Sequence, residues 1–245
     1  MEAPKRYSIR LIGEGSEGTI YKYEDYALKY FLDYSSLKNK VKKINKLKHL
    51  KIDNFCFPID FVTNNSAIIG YYMDYIDTRL SMNDLFKNAS LDEKIKYLKM
   101  QENLVKKAHE NNIVICDLNL FNFLVNDDKL YAIDTDNYKI GNLENDIIPD
   151  LYGPYYFNKI STKVDENFDK FALTVNFLRC LKEDFYPEML YLQRDSFDYL
   201  EEYINELDIP SELKDFLYYQ ISDNETKEFL GNNMDLVSSE KRFIK

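Results

Sequence analysis

Apolar and polar positions are arranged differently in the two parts of the chain, and the change falls near residue 77. Up to that point, short apolar runs bounded by turn residues predict β-strands. One lysine-rich stretch instead has apolar positions at helical spacing, at Leu37, Val41, Ile44 and Leu47. This part therefore predicts one amphipathic helix and five strands. The predicted strands are residues 7–12, 19–23, 26–31, 55–62 and 67–76.

Beyond residue 77 the pattern becomes mainly helical. A long helix is predicted over 91–111, because Ser90 precedes it and Glu93 follows three residues after Ser90, as in a capping box. We therefore expect an α+β fold with a small sheet-rich lobe over residues 1–76 and a larger, mainly helical lobe over 77–245. Further predicted elements are strands at 123–125 and 130–133 and helices at 168–181 and within 188–232.

Composition narrows the functional class. Of 245 residues, 45% are hydrophobic and 30% charged, which is the balance of a folded globular protein. No apolar run approaches the roughly 18 residues of a membrane span, and the first residues are charged where a secretory signal would be apolar. We therefore expect a cytoplasmic protein without a membrane span. Two His and three scattered Cys disfavour a zinc site, a disulfide framework and a Ser-His-Asp hydrolase.

The net charge of −10 is unevenly distributed. Residues 1–76 contain 12 basic and 9 acidic residues, whereas the rest of the chain contains 20 and 33. The acidic body argues against nucleic-acid binding. Lysines are concentrated in residues 37–51, where they form either a solvated helix face or a docking patch for an acidic partner. They are Lys38, Lys40, Lys42, Lys43, Lys46, Lys48 and Lys51.

A glycine-rich motif lies between the first two predicted strands. Gly13, Gly15 and Gly18 have the spacing that lets backbone N–H groups approach phosphates, since no Cβ intervenes. The same spacing occurs in dinucleotide-binding folds, but there a helix follows directly. Here a β-favouring run follows, and Lys29 lies on the next predicted strand. A glycine-rich surface hairpin with an ordinary lysine is the alternative interpretation.

Three polar residues downstream share the spacing of a phosphoryl-transfer site. Asp117 and Asn122 stand five residues apart, in an Asp-x-x-x-x-Asn arrangement. Asp134 follows twelve residues after Asn122, behind a short apolar run. An isolated loop aspartate is usually a cap or turn residue, but the three occur together and downstream of the glycine motif and Lys29.

These segments resemble the protein kinase-like superfamily over about residues 7–182. The chain resembles a divergent, bacterial-type member with similarity to eukaryotic-like Ser/Thr protein kinases. Residues 73–76 resemble the hinge that receives adenine, with Met73 in the gatekeeper position. Asp169 begins a segment similar to the long central helix of the second lobe. The resemblance implies that Asp169 holds the catalytic-loop backbone and that His109 supports the same region.

The resemblance implies an ATP- and Mg²⁺-dependent phosphotransferase, with a Ser or Thr of a protein substrate as the leading acceptor. Lys29 would hold the α- and β-phosphates, while Asp134 and Asn122 would each bind Mg²⁺. Asp117 would accept or orient the proton of the acceptor hydroxyl. The other implied ATP-binding residues are Gly13, Gly15, Gly18, Ile20, Ala27, Met73, Asp74 and Tyr75.

Lys29 lacks its usual partner. Kinases pair this lysine with a helix glutamate, but residues 37–51 contain no acid. The sequence leaves Glu14, Glu17 and Asp134 as candidate partners, or the phosphates alone. Asp136, two residues after Asp134, could place a second carboxylate near the metal.

The catalytic loop and the segment after it also depart from the family pattern. Ile115 and Cys116 replace the usual His and Arg, so there is no arginine to receive a phosphorylated loop. Residues 135–152 contain no Ser and one Thr. We therefore predict activity without Ser/Thr phosphorylation of this segment. Residues 153–156 resemble the segment that precedes the substrate-docking turn, although Lys159 and Ile160 replace its Pro and Glu.

Three other functions remain open at this point. A small-molecule kinase of the aminoglycoside or choline type shares the Asp-x-x-x-x-Asn plus Asp scheme. A nucleotide-binding pseudokinase would usually lack one of Lys29, Asp117, Asn122 and Asp134, all of which are present. An Asp-x-Asp nucleotide-sugar transferase would leave the glycine motif unexplained.

Overall fold

The first part of the chain folds into one antiparallel sheet. The computed structural model describes residues 1–15, 17–143, 156, 160–161, 163–181, 198–224 and 226–237. The strands are β1 (Arg10–Glu14), β2 (Gly18–Tyr23), β3 (Tyr26–Phe31), β4 (Asp60–Asn64) and β5 (Ala67–Asp74). They pair in the spatial order β1-β2-β3-β5-β4, so β3 is the central strand.

Two glycines let the main chain of β3 pack closely against its surroundings. A Cβ on Gly70, in β5, would collide with the carbonyl oxygen of Lys29. A Cβ on Gly18, at the start of β2, would lie 2.6 Å from the carbonyl oxygen of Tyr30. Glycine within a strand often marks such close backbone approach. The sheet therefore fixes the backbone from which the Lys29 side chain extends.

The α-helix of this lobe, α1 (Leu37–Leu47), buries two lysines together with its apolar face. Ile44 and Leu47 are buried as the sequence predicts, but Lys40 and Lys43 are also buried. The solvated-face interpretation is therefore wrong for these two lysines. That interpretation rests on apolar periodicity, which cannot show that Lys40 pairs with a carboxylate from another part of the fold.

The second lobe is mainly helical. Two of its helices begin with a serine whose side chain accepts a hydrogen bond from the main chain three residues on: Ser81 from Asp84 and Ser90 from Glu93, the latter as predicted. The helices are α2 (Met82–Asn88), α3 (Leu91–Glu110), α4 (Glu166–Leu181), α5 (Asp198–Glu206) and α6 (Ser211–Ile221). Short 3₁₀ helices occur at Arg6–Ser8, Leu120–Asn122, Thr135–Asn137 and Gly231–Val237.

Two short strand pairs follow the long helix of the second lobe, and one of their strands contacts the first lobe. The strands are β6 (Ile113–Val114), β7 (Phe123–Asn126), β8 (Lys129–Ala132) and β9 (Lys139–Ile140), with β7 paired to β8 and β6 to β9. The chain that precedes β4 binds β8: the Cys56 N–H donates to the Ala132 carbonyl, and the Ala132 N–H donates to Asn54, both at 2.9 Å. The residues that follow β8 are therefore held against the sheet-rich lobe.

The predicted fold class is confirmed: an α+β, kinase-like, two-lobed fold with a five-stranded sheet. Two strand boundaries are wrong, because β1 starts at Arg10 and β4 at Asp60. Helix α2 was not predicted. The division of the chain at residue 76 stays a prediction. Among the described residues, no helix combines the length and apolar composition needed to cross a bilayer.

Candidate active site

The glycine-rich turn connects β1 to β2. The Gly15 N–H donates to the Gly18 carbonyl at 3.0 Å, which closes the turn. Added Cβ atoms on Gly13 or Gly15 would meet nothing nearer than 3.9 Å. These two glycines are therefore not required by packing within the protein, and the space beside them is open to a ligand that approaches the backbone.

Lys29, in the centre of β3, binds a cluster of carboxylates. Its side chain is 4% exposed. Its Nζ donates to Asp134, donates to Asp136 at 2.8 Å and lies 3.7 Å from a carboxylate oxygen of Glu17. Burial opposes the charge of the ammonium group, but Asp136 and Asp134 raise the pKa of Lys29 above its ordinary value. Lys29 is therefore a permanent cation.

Asp136 is the buried carboxylate that takes the place of the missing helix glutamate as the partner of Lys29. Its side chain is fully buried, and its Oδ1 accepts hydrogen bonds from Lys29 and from the Tyr71 hydroxyl, each at 2.8 Å. Burial opposes its charge, but the Lys29 ammonium and these hydrogen bonds together lower the pKa of Asp136. Glu17 and Asp134, two of the three candidates from the sequence, also contact Lys29. The third, Glu14, is exposed at the end of β1.

Asp134, directly before the 3₁₀ turn Thr135–Asn137, has an unusual backbone conformation. Its φ and ψ are 58° and 46°, the left-handed region that non-glycine residues seldom adopt. Such conformations concentrate at functional sites. Its side chain is 32% exposed, unlike that of Asp136. Burial and the neighbouring Asp136 charge outweigh Lys29 and raise the pKa of Asp134 in the absence of a further cation.

Asp117 and Asn122 form a second polar pair. The Asn122 side-chain amide donates to the Asp117 carboxylate at 2.9 Å and to its carbonyl at 3.3 Å. Because the NH₂ group is used in this way, the amide oxygen is the atom of Asn122 that can ligate a cation. The Asn122 carbonyl accepts from the Ile133 N–H at 2.9 Å. This bond ties the pair to the residue before Asp134.

Asp169 holds the backbone of the loop that carries Asp117, as the resemblance implied. Its buried carboxylate accepts from the Ile115 and Cys116 N–H groups at 2.8 and 2.9 Å. The His109 Nε2 lies 2.9 Å from the same carboxylate. Asn176, two helical turns further along α4, donates to the Leu118 carbonyl at 2.9 Å. The loop that carries Asp117 is thus fixed by two side chains of one helix.

The residues expected to hold adenine belong to one apolar cluster. Ala27 and Met73 face each other across β3 and β5 and are buried in it. Ile20, Tyr75 and Ile133 are partly buried and pack against the same cluster. Ile133 directly precedes Asp134, so the apolar cluster and the carboxylate cluster adjoin. Asp74 is exposed at the end of β5.

The carboxylates form a donor set suited to a divalent cation. Glu17, Asp134 and Asp136 each offer an oxygen, and these oxygens lie within 4.8 Å of one another. The Asp136 Oδ2 is buried and has no hydrogen-bond partner among the described residues. Hard oxygen donors are the ligands that Mg²⁺ prefers. The residues present therefore fit a magnesium ion, and the Lys29 ammonium contacts two of the three carboxylates.

The structure brings most of the predicted site residues together. Lys29 and Asp134 are in contact, and Asp117 and Asn122 are paired and tied to Ile133. It makes Glu17 a bridge and Asp136 the buried partner of Lys29, and it adds Tyr71 and Asn176, which the sequence did not assign. Only the Asp-x-Asp spacing and the acid inside the glycine motif signalled the first two. Of the predicted docking segment, residues 153–155 lie outside the described residues, and Tyr156 is buried.

Comparison with known families agrees with this geometry. A sequence model of the RIO domain matches residues 21–138, a segment that contains Lys29, Asp117, Asn122 and Asp134 but begins after the glycine motif. RIO domains are an atypical, ATP-binding group of phosphotransferases within the protein kinase-like superfamily. A search of curated proteins found no match to the chain. With the RIO-domain match, the two-lobed fold and the carboxylate cluster on Lys29, the chain is a divergent member of the protein kinase-like superfamily.

Proposed function

We propose that this protein is an ATP- and Mg²⁺-dependent phosphotransferase that passes the terminal phosphoryl group of ATP to a hydroxyl group. The observation that supports this most strongly is the meeting of Lys29, from the central strand, with Asp134, from the segment after β8. The two residues are 105 positions apart in the chain. A cation that can hold phosphates and a carboxylate that can hold a metal thus lie side by side.

Each residue of the site has a role in this reaction. Lys29 binds phosphate oxygens of ATP, and the carboxylate of Asp134 and the amide oxygen of Asn122 hold Mg²⁺. When bound, Mg²⁺ neutralises charge on the phosphates and favours their transfer. Ile20, Ala27, Met73 and Tyr75 surround the adenine, with the Asp74 backbone beside it. Gly13, Gly15 and Gly18 let the turn approach the phosphates.

Asp117 interacts with the proton of the acceptor hydroxyl group. Its carboxylate accepts from the Asn122 amide at 2.9 Å and from the Asn119 N–H at 3.3 Å, which orients it. The acceptor oxygen forms a bond to the γ-phosphorus, the bond from that phosphorus to the β-phosphate bridging oxygen breaks, and ADP leaves. Asp117 accepts or orients the acceptor proton as the new bond forms.

We propose a Ser or Thr of a protein as the acceptor, in a cytoplasmic setting. The complete glycine motif and the Asp169 helix support a protein acceptor over a small molecule, because both are features of the protein kinases that the sequence resembles. An acidic partner on the exposed lysines of residues 37–51 stays a prediction. There Lys38, Lys42 and Lys46 are exposed and available to such a partner.

Transfer is tested with γ-labelled ATP and Mg²⁺, with the protein alone and with cell lysate. We expect labelled protein from wild type and a loss of at least two orders of magnitude in Asp134→Asn, because the variant keeps the side-chain shape but loses the charge that holds the metal. Label on small molecules would identify a small-molecule kinase instead. No transfer above the Asp134→Asn background would contradict the proposal and leave a pseudokinase.

Activity should not require a phosphorylated activation segment. Thr135, the one Thr among residues 135–152, is fully buried and its hydroxyl donates to the Cys56 carbonyl at 3.3 Å. Cys116, in place of the usual arginine, is buried, and burial raises the pKa of its thiol, so it carries no charge. We expect phosphatase-treated protein of verified mass to retain full transfer. Activity that appears only after a phosphate is added to this segment would contradict the expectation.

A further inference from the structure

Glu17, inside the glycine-rich turn, connects three parts of the fold through one carboxylate. Its Oε1 accepts from the Nζ of Lys40, in α1, at 3.4 Å. Its Oε2 accepts from the Asn137 side-chain amide, next to the Asp134 segment, at 2.6 Å. The same Oε2 lies 3.7 Å from the Nζ of Lys29. The turn, the helix and the metal-binding segment therefore meet at this side chain.

The charge pattern here is the reverse of the lysine–helix-glutamate pair of kinases. The helix supplies a cation, Lys40, and the turn supplies the carboxylate. The Lys40 side chain is 5% exposed and that of Glu17 is 13% exposed, so water screens the pair little. A buried ammonium group needs a carboxylate partner, and among the described residues Glu17 lies within ion-pair distance of Lys40. Lys40 thus has a specific role in the fold.

The main chain of Glu17 is held as well as its side chain. Its carbonyl accepts from the Leu32 N–H, just after β3, at 3.1 Å. The next residue, Gly18, packs against the side chain of Lys29, where an added Cβ would lie 3.1 Å from the Lys29 Cγ. A change in the position of Glu17 would therefore move both the turn and the space around the Lys29 ammonium.

We propose that Glu17 is a positioning residue, which closes the glycine-rich turn onto α1 and the Asp134 segment and aligns Lys29 for the phosphates of ATP. The proposal rests on the proposed function, since it concerns the same nucleotide. Asp136 remains the buried partner of Lys29, and Glu17, which is held by Lys40, connects the turn and α1 to this pair. Loss of the Glu17–Lys40 pair therefore changes the affinity for the triphosphate but not for the nucleoside.

The test compares the affinities of Mg²⁺-ATP and adenosine in a double-mutant cycle. We expect Glu17→Gln and Lys40→Met each to weaken Mg²⁺-ATP binding about tenfold, and the double variant to be no weaker than either, because residues that share one interaction are not additive. Adenosine affinity should stay at the wild-type value, since adenosine lacks the phosphates. Glu14→Gln, on an exposed acid of the same turn, is the matched control and should bind Mg²⁺-ATP normally.

Each other outcome overturns the inference. Tighter Mg²⁺-ATP binding by Glu17→Gln would show that the carboxylate blocks the phosphates instead of aligning Lys29. Unchanged Mg²⁺-ATP affinity in a variant that melts at a lower temperature would show a role in folding alone. Equal losses for ATP and adenosine would show general damage to the cleft. Wild-type protein that binds no Mg²⁺-ATP would instead remove the proposed function itself, and this inference with it.

Discussion

At Lys29, one buried ammonium group is shared between Asp134 and Asp136, and the two carboxylates have different environments. Asp136 is fully buried and hydrogen-bonded by Tyr71, whereas Asp134 is partly exposed. The buried aspartate can hold Lys29 in place while the exposed one remains available to a metal. This division of roles makes the position of Lys29 independent of any acid on α1, unlike the arrangement in which a helix glutamate must approach the lysine.

The buried member of this pair should matter most for stability. Asp136→Asn leaves the Lys29 ammonium with less compensation in a buried site, and breaking a buried ion pair costs roughly 3–5 kcal/mol. We expect its free energy of unfolding to fall by about that amount in urea denaturation. Asp128→Asn removes an ion pair to Lys96 whose partners are both exposed, and it should have no measurable effect. Equal stability of Asp136→Asn and wild type would contradict the assigned role.

Spacing in the sequence was sufficient to identify Lys29, Asp117, Asn122 and Asp134, because the order and separation of these residues are themselves the signal. Spacing was not sufficient to predict that Asp136 is the buried partner of Lys29. Its partner Tyr71 lies 65 residues away and Lys29 lies 107 residues away. Such pairs depend on how β3, β5 and the segment after β8 pack together, and no local pattern records that packing.

At the scale of elements, local polar groups and a proline explain why hydrophobic periodicity predicted the starts of two strands too early. Residues 7–12 look like a strand, but the Ser8 main chain and hydroxyl both donate to the Lys5 carbonyl and form a 3₁₀ turn. In residues 55–62, Pro58 has no N–H to donate to a ladder, and β4 begins after it. The missed helix α2 is only seven residues long, although Ser81 and Asp84 signal its start.

The helix α4 is the element that positions the catalytic loop, and Asp169 is its key residue. In Asp169→Asn, one acceptor oxygen becomes an NH₂ group, so a buried N–H of Ile115 or Cys116 loses its partner, at a cost of roughly 1–3 kcal/mol. We expect kcat for phosphoryl transfer to fall at least tenfold while KM for ATP changes little, because the loop carries Asp117 and not the nucleotide contacts.

The control for this prediction is a helix cap far from the site. Ser90→Ala removes the hydrogen bond from Glu93 at the start of α3 and costs about 1 kcal/mol. It should lower stability without changing kcat or KM. If Ser90→Ala and Asp169→Asn reduced kcat equally, the effect of Asp169 would reflect stability alone, and its role in placing Asp117 would be contradicted.

At the scale of the whole molecule, the site exists only because the two lobes are joined at β8. The hydrogen bonds between residues 54–56 and Ala132 hold this strand against the sheet-rich lobe. They bring Asp134 and Asp136 to Lys29 from one side, and the Asn122–Ile133 bond brings the Asp117 loop from the other. The change of periodicity near residue 77 predicts a strand-rich part followed by a helical part, and the resemblance of the motifs implies that this architecture is kinase-like. The reversed Glu17–Lys40 pair could not be predicted, because it depends on how the glycine-rich turn, the helix α1 and the junction of the lobes pack together.

The most direct measurement is a crystal structure with a non-hydrolysable ATP analogue and Mn²⁺, located by its anomalous signal. We expect the triphosphate beneath the glycine-rich turn, with the Lys29 Nζ within hydrogen-bond distance of a phosphate oxygen. We also expect Mn²⁺ on the carboxylate of Asp134 and the amide oxygen of Asn122. Nucleotide bound outside this cleft, or Mn²⁺ bound away from Asp134, would contradict the claim that these residues form one nucleotide site.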